Sequence, residues 1–236
     1  MRSKGGTRAG VAATVAAASV AACILVGVAG AAEPTRPFGL PFPGSPGPGT
    51  WYLSQPYGNT VYAFFERRGL YVNGQGLHFG LDFATPCGTP VLAIGDGTVR
   101  SVDGSGGSPP HNLAIQHDNG LVSFYGHLLE TPRIAVGQRV RRGEPVALSG
   151  DMTGTCYSSP HLHLEIRDQS MTRLVNPVVL VDADWHRIVL LGSAPLSFER
   201  DLLEPAKWQS IDDQPDVNLG GPLLNQFANA WPSDGW

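Results

Sequence analysis

The sequence has no excess of basic residues. Its 236 residues include 16 lysines and arginines against 20 aspartates and glutamates, which gives a formal net charge of −4. Proteins that bind nucleic acid through its phosphates concentrate positive charge on their surface. The composition therefore gives no electrostatic support for a nucleic-acid partner, and we expect none.

Lysine itself is scarce and occurs only at Lys4 and Lys207. The segment "VGQRVRRGEPVA" resembles the turn-rich strands of lipoyl- and biotin-carrier domains. Such carriers attach their cofactor to a lysine at a hairpin tip. Because the segment contains no lysine, we exclude a carrier function.

Long apolar runs are absent except at the N-terminus. There, basic residues, an apolar stretch and the small residues Ala29, Gly30 and Ala31 predict a secretory signal peptide over residues 1–31. Two alternatives stay open, namely retention of residues 11–29 as a membrane anchor and lipidation at Cys23, although the residues after Cys23 are still apolar. Each route predicts a secreted, periplasmic or cell-wall-associated protein, with membrane attachment only through this segment.

A helical period is missing from nearly all of the chain before residue 180. Residues 32–50 are a Pro/Gly linker, and residues 51–180 contain β-prone runs separated by turns, which predict an antiparallel all-β domain. In this domain "NLAIQHDNGLVSFYGHL" predicts a hairpin that turns at residues 118–120, and "IAVGQRVRRGEPVALSG" predicts another turn-separated pair of strands. Residues 181–236 are an extension of unknown role, in which "FERDLLEPAKW" is a candidate short helix.

The segment "SSPHLHLEIR" combines an apolar face with an unusual polar face. Its residues alternate with a period of two, with Leu162, Leu164 and Ile166 on one side and His161, His163 and Glu165 on the other. This period predicts a β-strand whose apolar side faces a core. Residues two apart on one strand face are separated by about 6–7 Å. If one of the two histidines binds a metal ion, the other therefore reaches only water bound to that ion.

Two further settings contain residues suited to metal chemistry. In "GLHFGLD", His78 and Asp82 would lie roughly 13 Å apart on an extended strand, but Gly80 permits a bend that brings them together. Imidazole nitrogen and carboxylate oxygen are zinc ligands, although an ordinary turn with a capping aspartate has the same appearance. In "SFYGHLLE", His127 follows an aromatic strand.

Taken together and in this order, "HFGLD", "GTPVLAIGDGTV", "HDNGLVSFYGHL", "VGQRVRRGEPVALSG" and "SPHLHLEI" resemble the lysostaphin-type zinc endopeptidases, a family of peptidoglycan hydrolases. The resemblance covers roughly residues 51–180. It implies an antiparallel β-sheet fold with a site in a groove. Two departures, the Pro-rich loop at residues 104–112 and the long C-terminal extension, bear on groove shape and on substrate choice.

The resemblance also implies roles for five residues: His78, Asp82 and His163 as zinc ligands, and His127 and His161 as catalytic histidines. Three protein ligands leave one position on a zinc ion for water. Because the sequence contains no His-Glu-x-x-His helix, the two remaining histidines would act on this water and on the developing oxyanion. Glu165 is a candidate partner for a zinc ligand.

The implied zinc site also predicts a disulfide between Cys87 and Cys156. These cysteines follow Asp82 by five residues and precede His163 by seven. If the two segments run antiparallel towards a shared metal ion, both cysteines reach the same side of the site. An exported protein tolerates such a bond.

We therefore expect a monomeric zinc endopeptidase that hydrolyses stem or cross-bridge peptides of peptidoglycan. Two alternatives remain. A non-catalytic wall-binding or regulatory module would have the same fold, although it would be expected to lack some of the five positions. A secreted protease acting on Gly-rich proteins would use the same chemistry and differs only in substrate.

Overall fold

A computed structural model describes residues 1, 5, 6, 36–189 and 210–226 of the chain. Two compact units are distinguished, residues 1–34 and residues 35–236, and every element named below belongs to the second. The predicted signal peptide lies almost wholly outside the described residues, as does the candidate helix "FERDLLEPAKW". No helix in the described part of the chain is long and apolar enough to cross a membrane.

Strands dominate the second unit, as the sequence predicted. In chain order, the elements are β1 (Tyr52–Gln55), α1 (Val61–Phe65), β2 (Leu81–Ala84), β3 (Pro90–Leu92), β4 (Gly97–Val102), β5 (His111–Gln116), β6 (Leu121–Leu128), β7 (Arg139–Val140), β8 (Pro145–Leu148), β9 (His161–Asp168), β10 (Arg173–Val175), α2 (Trp185–Val189) and β11 (Val217–Asn218). Two 3₁₀ turns lie at Val72–Gly74 and Pro177–Val179. The two α-helices have five residues each, so the all-β prediction is confirmed.

The main sheet has the strand order β1-β2-β9-β6-β5-β4-β7. Strand β10 pairs with β9, β11 pairs with β10, and a separate two-stranded sheet joins β3 to β8. All these pairings are antiparallel. The predicted hairpin is β5–β6, with its turn at residues 118–120. The strands of "IAVGQRVRRGEPVALSG" also form, but β7 pairs with β4 and β8 with β3 rather than with each other.

Strand β9 is central to the sheet and is buried on both faces. Leu162, Leu164 and Ile166 have no exposed surface and belong to the main hydrophobic core, as the alternation predicted. Burying one such side chain contributes about 1.5–3 kcal/mol. The opposite face is covered as well, since Glu165 is fully buried and His163 is 5% exposed. A polar face that is buried in this way must satisfy its charges within the protein.

A disulfide joins Cys87 to Cys156, with the two Cα atoms 5.8 Å apart. Cys87 follows β2, and Cys156 lies in the loop before β9. Because β2 and β9 are antiparallel neighbours, the two cysteines emerge at the same end of the strand pair, as predicted.

Candidate active site

The pairing of β2 with β9 brings together residues that are far apart in the sequence. In this register Asp82 lies opposite His163, and Ala84 lies opposite His161. On the other side of β9, Gly126 is the partner of His163, which places the next residue, His127, at the same end of the sheet. His78 precedes β2 and is held by an isolated bridge to Gly58.

His78, Asp82 and His163 form a compact cluster of potential metal ligands. The Oδ1 atom of Asp82 lies 2.7 Å from His163 Nδ1 and 3.3 Å from His78 Nε2, and those two nitrogens are 3.3 Å apart. Ligand atoms about 2.1 Å from a tetrahedral zinc ion would lie about 3.4 Å from one another. Two of the three separations match this value closely, so the cluster fits a zinc ion.

The second ring nitrogen of each histidine in this cluster has its own partner. His78 Nδ1 lies 2.8 Å from the carbonyl oxygen of Pro56, and His163 Nε2 lies 3.2 Å from Glu165 Oε1. An acceptor at one ring nitrogen keeps the proton there and leaves the other nitrogen as a lone-pair donor to metal. Both histidines therefore present the nitrogen that faces Asp82.

The electrostatics of the cluster favour a bound cation. Burial by itself would raise the pKa of the Asp82 carboxyl, but His78 and His163 outweigh this effect and hold that pKa well below its usual range. Burial opposes charge on His163, whereas its hydrogen bonds with Asp82 and Glu165 raise its pKa to about 9. Two buried carboxylates thus stabilise positive charge at this position, which a divalent metal would supply in place of a proton.

His127 and His161 lie beside this cluster. Their ring centroids are 4.9 Å apart, and the His127 ring lies 5.7 Å from that of His163. His127 Nδ1 is 2.6 Å from the carbonyl oxygen of Pro109, and His161 Nδ1 is 2.8 Å from that of Ser159. Burial and the neighbouring His163 lower the pKa of His127 to about 4, so its imidazole is neutral at pH 7.

The site opens into two adjoining cavities. One, of about 650 Å³, is lined by His78, Asp82, His127, His161 and His163 together with apolar residues. The other, of about 500 Å³, is lined on its far side by β1 and shares Asp82 and His161 with the first. The polar cluster therefore lies where two halves of a cleft meet, an arrangement suited to an extended chain bound across it.

Gly80 is required by the close packing of the site. A Cβ atom at this position would lie 2.5 Å from His163 Cε1 and 2.9 Å from the carbonyl oxygen of Leu164. The sequence predicted that this glycine permits a bend. The structure shows a second reason for a glycine at position 80: its backbone packs directly against the ring of His163, a candidate metal ligand, and leaves no room for a side chain.

Glu165 is buried between His163 and Arg167. Its Oε1 atom accepts from His163, and its Oε2 atom accepts from Arg167 Nε. Arg167 also donates to the carbonyl oxygen of Gly106 at 2.8 Å and stacks over the Phe124 ring.

Sequence reasoning missed Arg167, although the period of two extends the polar face of β9 from Glu165 to this residue. The Pro109 carbonyl had no comparable signal, because any residue carries a carbonyl group.

The other histidines have different surroundings. His117 is buried and contacts the Asp96 carbonyl oxygen and Ser123 Oγ, each at 2.8 Å, and burial lowers its pKa. His111 lies 2.9 Å from Asp103 Oδ2 with its side chain 31% exposed, and His186 is exposed on α2.

Comparison with known proteins gives similarities over the segment that carries the site. Residues 76–177 match the model of Peptidase family M23. The chain is 41% identical over 92 residues to the peptidoglycan DD-endopeptidase ShyA of Vibrio cholerae, covering 38% of this chain and 20% of that protein. It is 40% identical over 102 residues to the DD-carboxypeptidase/endopeptidase Mpg of Neisseria meningitidis, covering 43% and 22%.

Among solved structures, a catalytic-domain variant of the prophage-encoded M23 protein EnpA from Enterococcus faecalis matches with a TM-score of 0.43 and 29% identity. This match covers 59% of the present chain and 95% of the EnpA chain. The present chain spans about a fifth of the length of the curated relatives it matches.

Proposed function

Because residues 76–177 match the model of Peptidase family M23, the family that the resemblance to lysostaphin-type enzymes predicted, we propose that the protein is a zinc endopeptidase of peptidoglycan. It acts outside the cytoplasm and hydrolyses peptide bonds in stem or cross-bridge peptides. Two similar proteins support this proposal by their names, the peptidoglycan DD-endopeptidase ShyA and the DD-carboxypeptidase/endopeptidase Mpg.

The observation that carries this proposal is the convergence of His78 Nε2, Asp82 Oδ1 and His163 Nδ1, which lie 2.7–3.3 Å from one another. Three protein ligands of this kind are typical of catalytic zinc sites, which keep a further position open. Zinc at such a site supplies Lewis acidity that activates water and polarises a carbonyl group. All three residues that would hold the ion line the larger cavity, where a peptide has room to lie.

His127 and His161 perform the proton chemistry in this mechanism. With Nδ1 of each ring engaged by a backbone carbonyl, Nε2 is left to exchange protons with the reacting groups. A neutral imidazole accepts a proton from the attacking water, and an N–H donor stabilises negative charge on the former carbonyl oxygen. The low pKa of His127 keeps its ring neutral and able to accept a proton at physiological pH.

Digestion of purified cell walls tests the proposal. The full chain is expected to release muropeptides, to lose this activity with a strong zinc chelator and to regain it when zinc is returned. Mass spectrometry of the released fragments identifies the bond that is cut. Digestion that persists in the chelator would contradict the metal mechanism, and wall binding without release of fragments would indicate a non-catalytic wall-binding module instead.

A further inference from the structure

The described C-terminal segment, residues 210–226, contributes to the wall of the larger cavity. This segment lies outside the region matched to the M23 family, residues 76–177. Nevertheless, Leu219 and Gly220 line the same cavity as His127 and His163. Residues 219 and 220 of the extension therefore form part of the cleft wall.

Gln75 fixes this segment beside the site. Its side chain accepts from Asn218 N through Oε1 at 2.7 Å and donates to the Pro222 carbonyl oxygen through Nε2 at 2.8 Å. Its own carbonyl oxygen accepts from Leu224 N at 2.8 Å. Gln75 is 4% exposed and adopts a positive φ of 55°. A buried amide with both ends satisfied, on a backbone held in a left-handed conformation, fixes the relative position of the two segments.

Asn225 makes a second attachment to the chain that leads to His78. The residue is fully buried, and its Nδ2 atom donates to the Gly76 carbonyl oxygen at 2.6 Å. The backbone N–H of Gly220 donates to the Asn73 carbonyl oxygen at 2.8 Å. The C-terminal segment thus holds the turn that comes immediately before a candidate metal ligand.

The cavity that this segment lines contains several apolar side chains. Leu219 lines it together with Leu70 and Phe79, and Met152 and Pro109 also line the cavity. Leu70 and Met152 are 46% and 48% exposed, so their apolar surface is open to a bound molecule. Apolar surface in a cleft gains free energy when a ligand covers it.

We propose that Leu219, with Leu70 and Met152, forms a subsite for an apolar side chain or aliphatic portion of the bound peptide. Residues 210–226 then help to determine substrate selectivity in this protein. This inference rests on the proposed endopeptidase function for the identity of the ligand. It goes beyond that function because Leu219 belongs to a segment outside the region matched to the family, residues 76–177.

The variant Leu219→Ser in the full chain tests the subsite, with Leu224→Ser as the matched control. Both leucines belong to the same segment and pack, partly buried, against the main core, but Leu219 is the one that lines the cavity. Losing one apolar contact in a subsite weakens substrate binding about tenfold. Leu219→Ser should therefore raise the KM for soluble muropeptides about tenfold with kcat and zinc content retained, whereas Leu224→Ser should leave KM unchanged.

Direct binding separates this inference from the proposed function. The Kd for muropeptides released from purified walls by a muramidase is measured by calorimetry on the same proteins, and a similar loss is expected for Leu219→Ser alone. If the wild-type chain binds muropeptides without cleaving them, the enzymatic proposal fails. The Kd values of the two serine variants then still show whether Leu219 contacts the bound peptide. Equal Kd values for wild type and Leu219→Ser, equal losses in both variants, or no binding by the wild type would overturn the inference.

Discussion

The Nδ1 atom of His127 lies 2.6 Å from the carbonyl oxygen of Pro109, although the two residues belong to different parts of the fold. Pro109 lies in the Pro-rich loop at residues 104–112. The same loop accepts the backbone N–H of His127 at Ser108 O. A hydrogen bond from Nδ1–H to a carbonyl fixes the tautomer of an imidazole, so this loop determines which nitrogen of His127 faces the cleft.

Asn112→Ala should impair catalysis without loss of metal. Asn112 is 5% exposed, and its side chain bonds to Gly104 N, Gly104 O and Gly107 O, each at 3.0 Å, so it holds the loop in shape. A misplacement of about 1 Å in a catalytic group costs up to about a hundredfold in rate. We expect kcat to fall by about tenfold or more, with zinc content unchanged.

The matched control for this variant is Asn119→Ala in the exposed turn between β5 and β6, where the side chain accepts from Leu121 N. It should leave kcat within about twofold. Nitrogen NMR of the histidine rings provides a second readout, since His127 should lose its fixed Nδ1–H tautomer in Asn112→Ala. A kcat in Asn112→Ala that equals the control value would disprove the positioning role of the loop.

Metal binding and turnover should separate by mutation. His163→Ala removes one of the three candidate ligands and should lose zinc. His127→Ala and His161→Ala should keep zinc but lose about a hundredfold or more in kcat, because each removes a proton-transfer group. Metal analysis of the purified proteins, combined with muropeptide release, measures both effects. Equal zinc loss in all three variants would refute these roles.

Glu165→Gln should weaken zinc binding. The carboxylate of Glu165 accepts from His163 Nε2 and so orients the ring and makes Nδ1 a better ligand. Loss of such a partner lowers metal affinity about 10–100-fold. Titration against a competing chelator measures the change, and Glu130→Gln, which alters a surface ion pair with Arg133, is the control. Zinc affinity that is identical in the two variants would remove Glu165 from the metal site.

Replacement of Cys87 and Cys156 by serine should lower stability. The cysteines are 69 residues apart in the sequence, and the chain-entropy model for a loop of this length gives about 4 kcal/mol. Denaturant unfolding of the double variant should show a loss of that order in the free energy of unfolding. As a check on the wild type, free thiols at both Cys87 and Cys156 in the unreduced protein would contradict the bond.

The sequence by itself determined the features that depend on local patterns. The alternation of residues 161–166 predicted strand β9 and its two faces, because side chains of a strand point alternately to opposite sides. Asp118, Asn119 and Gly120 predicted the turn of the β5–β6 hairpin because these residues adopt turn conformations at little cost. The order of the histidine motifs resembles that of the lysostaphin-type enzymes, and this resemblance named His78, Asp82, His127, His161 and His163 as one set.

The tertiary structure alone decided how that set is supported. The Pro109 carbonyl that holds His127 is a backbone group, which has no signature in the sequence. The contacts of Gln75 with Asn218 and Pro222 join segments 143 and 147 residues apart, and such pairings follow from chain topology rather than from local periodicity. For the same reason, the place of Leu219 in the cleft could not be read from the sequence of the C-terminal extension. Local patterns specify on which face of a strand a residue lies, whereas only the packed fold specifies which residues that face contacts.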